Sequence, residues 1–352
     1  MSGHWPEHVS GHPDSLGPVA RATGIGSLPG TDIREALKGV REVLAGDAGG
    51  GDAHLPYLPE LPARGPGADM VGRAAGLLVE LAVDLQPAGW RFVDRPGRDA
   101  ERTASLWRRD LDELAEAFDG YQGELKVQCA GPWTLAAAIE LNRGEKALAD
   151  EGAVRDLVGS LTEGLRVHLA EVRRLVPGAA LVLQLDEPSL PAVLAGRLPT
   201  ASGYGHLRAV DPQAVVSGLR EVLAAAPDAK ATVVHCCDRG IPLPLLRQTG
   251  TGAVALDVTD LTPARWESVA ATVEEGVRVY AGCLPTDASG TARAAADAVA
   301  RGWRDAGMPA ASLGELVATP ACGLARLTPE AAWRVQRAAV DVAAEWSERS
   351  GS

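Results

Sequence analysis

The chain has 352 residues, 46% hydrophobic and 23% charged, an ordinary globular composition. Forty-six acidic residues against 34 basic ones leave a formal net charge of −12, which argues against sequence-independent nucleic-acid binding and against adhesion to an anionic membrane. No apolar run of about 18 residues occurs, and no basic segment leads into an apolar stretch at the N-terminus, so the expectation is a cytoplasmic protein with neither membrane helix nor signal peptide.

Residues 1–20 are rich in Pro, Gly, Ser and His without an apolar period and read as a mobile tail. His4, His8 and His12 recur every four residues there, but Pro6 and Pro13 oppose the helix that would present them to a metal. From residue 22 onward, short β-prone runs predict strands over 22–27, 90–94, 125–130, 180–186, 231–236, 253–257, 277–283 and 316–319. Helical patterns fall over 68–86, 101–119, 150–176, 212–226, 262–275, 288–307 and 328–347. The clearest is 150–176, where Leu157, Val158, Leu161, Leu165, Leu169, Val172 and Leu175 share one stripe. Asp211-Pro212 and Thr328-Pro329-Glu330 are N-cap signals with Pro at the first helical position. Eight strands each followed by helix is the count of an α/β protein of the (β/α)8 TIM-barrel type, one domain over 21–348. A doubly wound open sheet is the competing architecture. The Gly/Pro-rich stretch 47–68 is too long for a simple connector and reads as a lid or a flexible insert. Gly49 to Gly51 lack the Lys-Ser/Thr of a phosphate loop, and Gly24-x-Gly26 lacks the full dinucleotide fingerprint, so nucleotide binding has little support.

The chemistry concentrates at strand ends. In Val233-Val234-His235-Cys236-Cys237 the alternation of an extended strand sends His235 and Cys237 to one face and Cys236 to the other, where packing is its role. An imidazole and a thiolate side by side are half of a tetrahedral zinc site, and Cys322 is a third soft donor where another apolar run stops. One His and two Cys leave a fourth position open, as catalytic zinc sites do, and ligands spread from 235 to 322 are unlike a local structural knuckle. Ordinary buried thiols at a strand end are an equal reading of the spacing alone. Five cysteines, an odd number, fit metal or thiol chemistry in a reducing compartment better than a disulfide framework. Ser27, Asp186-Glu187, Asp257 and Asp287 also stand at or just beyond predicted strand ends, where a barrel gathers its site. Trp133 either lines a substrate pocket or packs in the core, and Arg239 either meets an anionic substrate or is a solvated loop charge.

Six motifs occur in one order: Gly26-Ser27-Leu28-Pro29, Ala68-Asp69-Met70-Val71, Gly131-Pro132-Trp133-Thr134, Gln184-Leu185-Asp186-Glu187-Pro188, His235-x-Cys237 and Cys322-Gly323-Leu324. In this the chain resembles the C-terminal catalytic barrel of cobalamin-independent methionine synthases, without that family's additional N-terminal barrel. The resemblance implies transfer of a methyl group to the thiol of L-homocysteine, giving L-methionine, with Zn2+ keeping the sulfur anionic. It implies His235, Cys237 and Cys322 as zinc ligands, with Asp257 where the family has a Glu as fourth ligand. Ser27 and Asp186 match positions that hold the amino-acid end of the substrate, and Glu60, in Pro59-Glu60-Leu61-Pro62, stands for a second carboxylate there. Departures fall on the methyl-donor side. Leu135-Ala136-Ala137-Ala138 replaces a region that carries a Trp against the folate, Ala192 replaces a folate-associated acid, and Asp287 stands where a His serves as catalytic proton donor. The expected donor is therefore a methylcorrinoid, free or protein-bound, with methyltetrahydrofolate as the alternative. Competing readings are a corrinoid-dependent methyltransferase acting on another thiol, such as coenzyme M, and a non-catalytic zinc-binding barrel.

Overall fold

A computed structural model describes residues 19–45, 54–142 and 144–351. Residues 1–18 of the expected tail, with His4, His8 and His12, and residues 47–53 of the expected lid lie outside the described residues, while Ala20 at the tail's end is buried in the core. The strands are β1 (Arg21–Ala22), β2 (Ala82–Gln86), β3 (Gly89–Val93), β4 (Gly123–Ala130), β5 (Ala179–Asp186), β6 (Ala231–Cys236), β7 (Ala253–Asp257), β8 (Arg278–Leu284) and β9 (Val317–Pro320). Seven of them form one parallel sheet in the order β1-β9-β8-β7-β6-β5-β4. Their apolar runs are covered on both faces, as parallel strands require: Leu181, Val182, Leu183 and Leu185 of β5 are all at most 1% exposed.

The helices that carry the chain between these strands follow from caps and apolar stripes. They are α1 (Ile33–Val40), α2 (Met70–Ala75), α3 (Arg98–Ala117), α4 (Pro132–Ala138), α5 (Glu151–Leu175), α6 (Leu190–Leu194), α7 (Pro212–Leu223), α8 (Leu243–Leu246), α9 (Pro263–Glu274), α10 (Ala292–Asp305) and α11 (Pro329–Ser350). Asp150 caps α5 by accepting from the amides of Gly152 and Ala153, Asp211 caps α7, and Thr328 caps α11. The α5 stripe is buried as its period demands, with Leu157, Leu161, Leu165, Leu169 and Val172 at most 1% exposed. Among the described residues no helix is long and apolar enough to cross a membrane.

Two expectations fail here. The helix over 68–86 is only α2, capped by Asp69. The chain then forms β2 and β3, an antiparallel ribbon apart from the main sheet, so the strand expected over 90–94 is not one of its parallel members. The alternation of Val83 and Leu85 along β2 matches Trp90 and Phe92 across the ribbon, and a local pairing of this kind outweighs the weak helical period.

The eighth parallel strand is also missing from the continuous sheet. Between the edge strands β1 and β4 runs the extended segment 54–61. Leu55 and Glu60 donate to the carbonyls of Ala22 (2.9 Å) and Gly26 (3.1 Å), and Leu28 donates to Glu60 (2.9 Å). On the other side Leu58 donates to Lys126 (3.0 Å) and Lys126 to Pro56 (2.9 Å). Pro56, Pro59 and Pro62 have no N–H, so the pairing survives only as isolated bridges rather than a ladder. The described part of the expected lid is therefore packed: Leu55, Tyr57, Leu58 and Leu61 are at most 2% exposed.

One face of the sheet holds a second small core. Leu55, Val182, Val233, Ala253, Ala255, Tyr280 and Val317 cluster apart from the main core between sheet and helices. With a side-chain period of two, the same row continues along the strands to Gln184 and Asp186, to His235 and Cys237, and to Asp257. The row is apolar toward the strand beginnings and polar toward their ends. This polarity gradient positions the site.

Candidate metal and substrate site

His235 is 3% exposed, and its Nδ1 lies 2.7 Å from Asp186 Oδ1. Its Nε2 is buried without a hydrogen-bond partner among the described residues. A buried ring nitrogen in that condition is costly unless it has another use, and a metal ligand is one. Cys237 Sγ and Cys322 Sγ are 3.2 Å apart, and one donor atom each from His235, Cys237 and Cys322 lies within 4.8 Å of the others. The two thiols are hydrogen-bonded to each other. That bond holds Cys322 below the usual thiol range, down to about 6, and pushes Cys237 up. Two soft sulfurs, of which Cys322 is the readily deprotonated one, grouped with a buried imidazole suit zinc in both donor type and number.

Asp186 is itself held. Its Oδ1 also accepts from Gln184 Nε2 (2.8 Å), which donates to the Ile25 carbonyl as well (2.9 Å). Lys126 Nζ donates to Gln184 Oε1 (2.6 Å) and to Ile25 O (2.7 Å). Lys126 and Gln184 are fully buried, and burial pushes the Lys126 ammonium down to about 7. The chain Lys126–Gln184–Asp186–His235 fixes the ring so that Nδ1 faces the carboxylate and Nε2 is left for another partner. Sequence reasoning missed Lys126 and Gln184. The signal lay in Gln184 sharing Asp186's face, two residues earlier on the same strand.

The substrate-end residues lie in the same neighbourhood. Ser27 and Glu60 form a parallel bridge. Gly323 packs so tightly on Ser27 that a Cβ would stand 2.1 Å from Ser27 Oγ, while the Leu324 amide donates to the Ser27 carbonyl (2.8 Å). The Cys322 loop is thus docked onto the Ser27 loop. Glu60 is 7% exposed; burial raises its carboxyl to about 7, the charge of Asp186 adds to that, and Arg73 and Lys126 oppose it. Glu187, beside Asp186, is fully buried and accepts from the amides of Trp133 (3.0 Å) and Thr134 (2.7 Å) and from Thr134 Oγ1 (2.7 Å), tying the end of β5 to the start of α4. Gly131 leaves room for that carboxylate.

Two expected site residues are not drawn in. Asp257 is half-buried and outside the three-donor group; its Oδ1 accepts from Thr259 N (2.9 Å) and Oγ1 (2.7 Å), closing a turn at the strand end. Asp287 is exposed and accepts from the amide of Ser289 (2.9 Å), and the Ser289 bonds hold its carboxyl below the usual range. That is opposite to what a proton donor needs. Trp133 is 2% exposed with its indole on the Val215 carbonyl, a core residue. Cys236 is fully buried in the main core, and Arg239 is an exposed partner of Asp260 (3.0 Å).

A family model described as the catalytic domain of cobalamin-independent synthase matches residues 20–345. No curated protein matches the chain. Among solved structures it is similar to a B12-independent methionine synthase from Shewanella sp. W3-18-1 in complex with selenomethionine, at 16% identity over 73% of this chain and 70% of that one, with a TM-score of 0.48. It is also similar to a protein assigned as a glycerophosphoryl diester phosphodiesterase from Silicibacter pomeroyi DSS-3, at 16% identity over 95% and 96% of the two chains, TM-score 0.34. A third is the carboxyl transferase domain from Rhizobium etli pyruvate carboxylase, at 16% identity over 63% and 41%, TM-score 0.24. Structural likeness at this level carries no functional argument beside the family match.

Proposed function

The chain belongs to the cobalamin-independent synthase family, whose catalytic domain it matches over residues 20–345, and from that premise we propose that it methylates the thiol of L-homocysteine to give L-methionine. The observation that carries this reading is that one donor atom each from His235, Cys237 and Cys322 lies within 4.8 Å of the others, while His235 Nε2 is buried without a partner among the described residues and Nδ1 is held by the buried carboxylate of Asp186. Zinc held by these three residues would keep an incoming thiol as its nucleophilic thiolate at neutral pH. Asp257, on the same row of side chains, is the fourth donor of the proposal, at the expense of its bonds to Thr259.

The chain's own residues do the rest. Asp186, braced by Gln184 and Lys126, holds the His235 ring in one tautomer. Glu60 and Ser27 receive the amino-acid end and so set the direction in which the sulfur points. Asp186 stays within electrostatic range of Glu60 and adds negative charge where an ammonium binds. The seven-stranded sheet and segment 54–61 are together read as an eight-staved barrel, with the site at the carboxyl ends of its strands. A cytoplasmic location goes with this reading.

A methylcorrinoid donor is at odds with membership of a cobalamin-independent family, so that expectation is withdrawn and methyltetrahydrofolate is the donor proposed. The departures at Ala192, at Asp287 and over 135–138 then concern how the folate is bound. The test is a donor-by-acceptor matrix on purified, zinc-loaded protein. L-Methionine formed from L-homocysteine and a methyltetrahydrofolate supports the reading; turnover confined to another thiol, or none with any acceptor, overturns it.

A further inference from the structure

A buried amide on β4 carries an acceptor with no donor assigned to it. Gln128 is 5% exposed, and its Oε1 is buried without a hydrogen-bond partner among the described residues. Its Nε2 donates to the Leu58 carbonyl (2.7 Å). That bond fixes which corner of the amide is oxygen, because the reverse assignment would press two acceptors together. A buried amide oxygen left without a donor is costly, so the position calls for one from outside the chain.

The surroundings indicate which. On β4, Gln128 is in register with Gln184 of β5, the residue that holds Asp186. A Cβ on Gly26 would stand 2.9 Å from three atoms of the Gln128 side chain, so the amide packs directly against the loop that carries Ser27. The Gly26 carbonyl in turn accepts from the Glu60 amide (3.1 Å). Leu58, which receives Nε2, lies two residues before Glu60 in the extended segment 54–61. Gln128 also favours the ionised form of the Glu60 carboxyl through a side-chain hydrogen bond. The amide therefore sits where the Ser27 loop, the Glu60 segment and the Asp186 strand converge. An α-ammonium brings three N–H donors and no acceptor, and a neutral oxygen beside two carboxylates takes one of them without adding charge.

We propose that Gln128 is a further substrate-binding residue, whose Oε1 accepts a hydrogen bond from the α-ammonium of the amino-acid substrate while Nε2 stays on the Leu58 carbonyl. The proposal rests on the L-homocysteine reading above and adds a discrimination to it. A buried acceptor built to meet an ammonium rejects an analogue that lacks the amino group, since the acceptor is then left unpaired.

The test compares two ligands on two proteins. Binding of L-methionine and of its des-amino analogue, 4-(methylsulfanyl)butanoate, is measured by calorimetry on zinc-loaded wild type and Gln128→Met, with L-homocysteine KM and zinc content alongside. Gln128→Met keeps the side chain's length and removes the acceptor. The expected result is a rise of about tenfold in the L-methionine Kd and in the L-homocysteine KM, equivalent to about 1.4 kcal/mol. The Kd of the des-amino analogue changes by less than about twofold, so the preference for the amino compound falls about tenfold, and zinc content stays at the wild-type level. Equal weakening of both ligands, which a merely structural role would give, or unchanged L-methionine binding overturns the assignment. If Gln128→Met does not fold, Gln128→Asn, which keeps an amide but draws the oxygen back by one methylene, is read by the same comparison. Wild-type protein that neither turns over L-homocysteine nor binds L-methionine overturns the functional reading instead.

Discussion

The two ends of the inner sheet face differ sharply although the same strands build both. Toward the strand beginnings, Leu55, Val182, Val233, Ala253 and Val317 form an apolar plug. Two or four residues further along the same strands stand Gln184, Asp186, His235 and Cys237, every one committed to a hydrogen bond or to the sulfur pair. The plug holds the strands in register, and the rim uses that rigidity to keep donor atoms in place. Stability and chemistry are thus separated along each strand by one or two steps of its alternation.

Substitutions at the two ends should therefore have different signatures. The largest effect is expected for Cys322→Ser, which removes one of the three soft donors: zinc content falls below one ion per chain and methyl transfer drops on the order of a thousandfold or more, with the fold retained by circular dichroism. Full zinc loading and activity in this variant would break the division. At the other end, Leu55→Ala leaves a cavity in the plug and should cost about 2–5 kcal/mol in urea unfolding. Zinc affinity and KM stay unchanged there, and a matching loss of zinc would show that the plug and the rim are not independent.

A finer test falls on the contact between loops. Gly323→Ala must move Ser27, because the new Cβ overlaps Ser27 Oγ. The expected outcome is an L-homocysteine KM raised about tenfold with zinc retained, which separates the substrate end of the rim from its metal end. Wild-type KM would place Ser27 outside the binding path.

The smallest effect concerns a buried group outside both ends. Burial, reinforced by the charge of Arg73, pushes the His168 ring down to about 3 from an ordinary value of 6.5. The unfolded chain takes up this proton near pH 6.5 and the folded chain only near 3. The stabilisation is therefore full above about pH 6.5 and is lost as the pH falls through that window, at a slope of up to about 1.4 kcal/mol per pH unit. Urea unfolding of His168→Gln between neutral pH and about pH 5 should show a shallower loss than wild type. Equal slopes would mean that the ring titrates normally in the folded chain.

Much of this was legible before any coordinates. The apolar runs behind β4 to β9 mark their strands to within two residues, and 231–236 and 253–257 match β6 and β7 at both ends. Runs buried on both faces carry a strong local signal. The two-residue spacing of His235 and Cys237 placed them on one face, and Cys236 went to the core as alternation requires. Segment 54–61 escaped notice because its prolines read as breakers, whereas the bridges are made by Leu55, Leu58, Glu60 and Lys126 across the proline gaps. Asp257 and Asp287 look like uncommitted site acids in one dimension. In the structure each accepts from a partner two residues on, a competition between local turn and distant site that spacing does not reveal.

Periodicity, capping residues and donor types are properties of neighbours along the chain, and for this protein they determined the strand and helix pattern and the soft donors at the strand ends. Which distant groups share a proton, a charge or a ligand depends on how strands are laid side by side. The tertiary structure alone brought Cys322 to Cys237, left His235 Nε2 without a partner among the described residues, and set Arg64 and Arg73 on the one carboxylate of Asp110, because burial strengthens each interaction only once packing has excluded water.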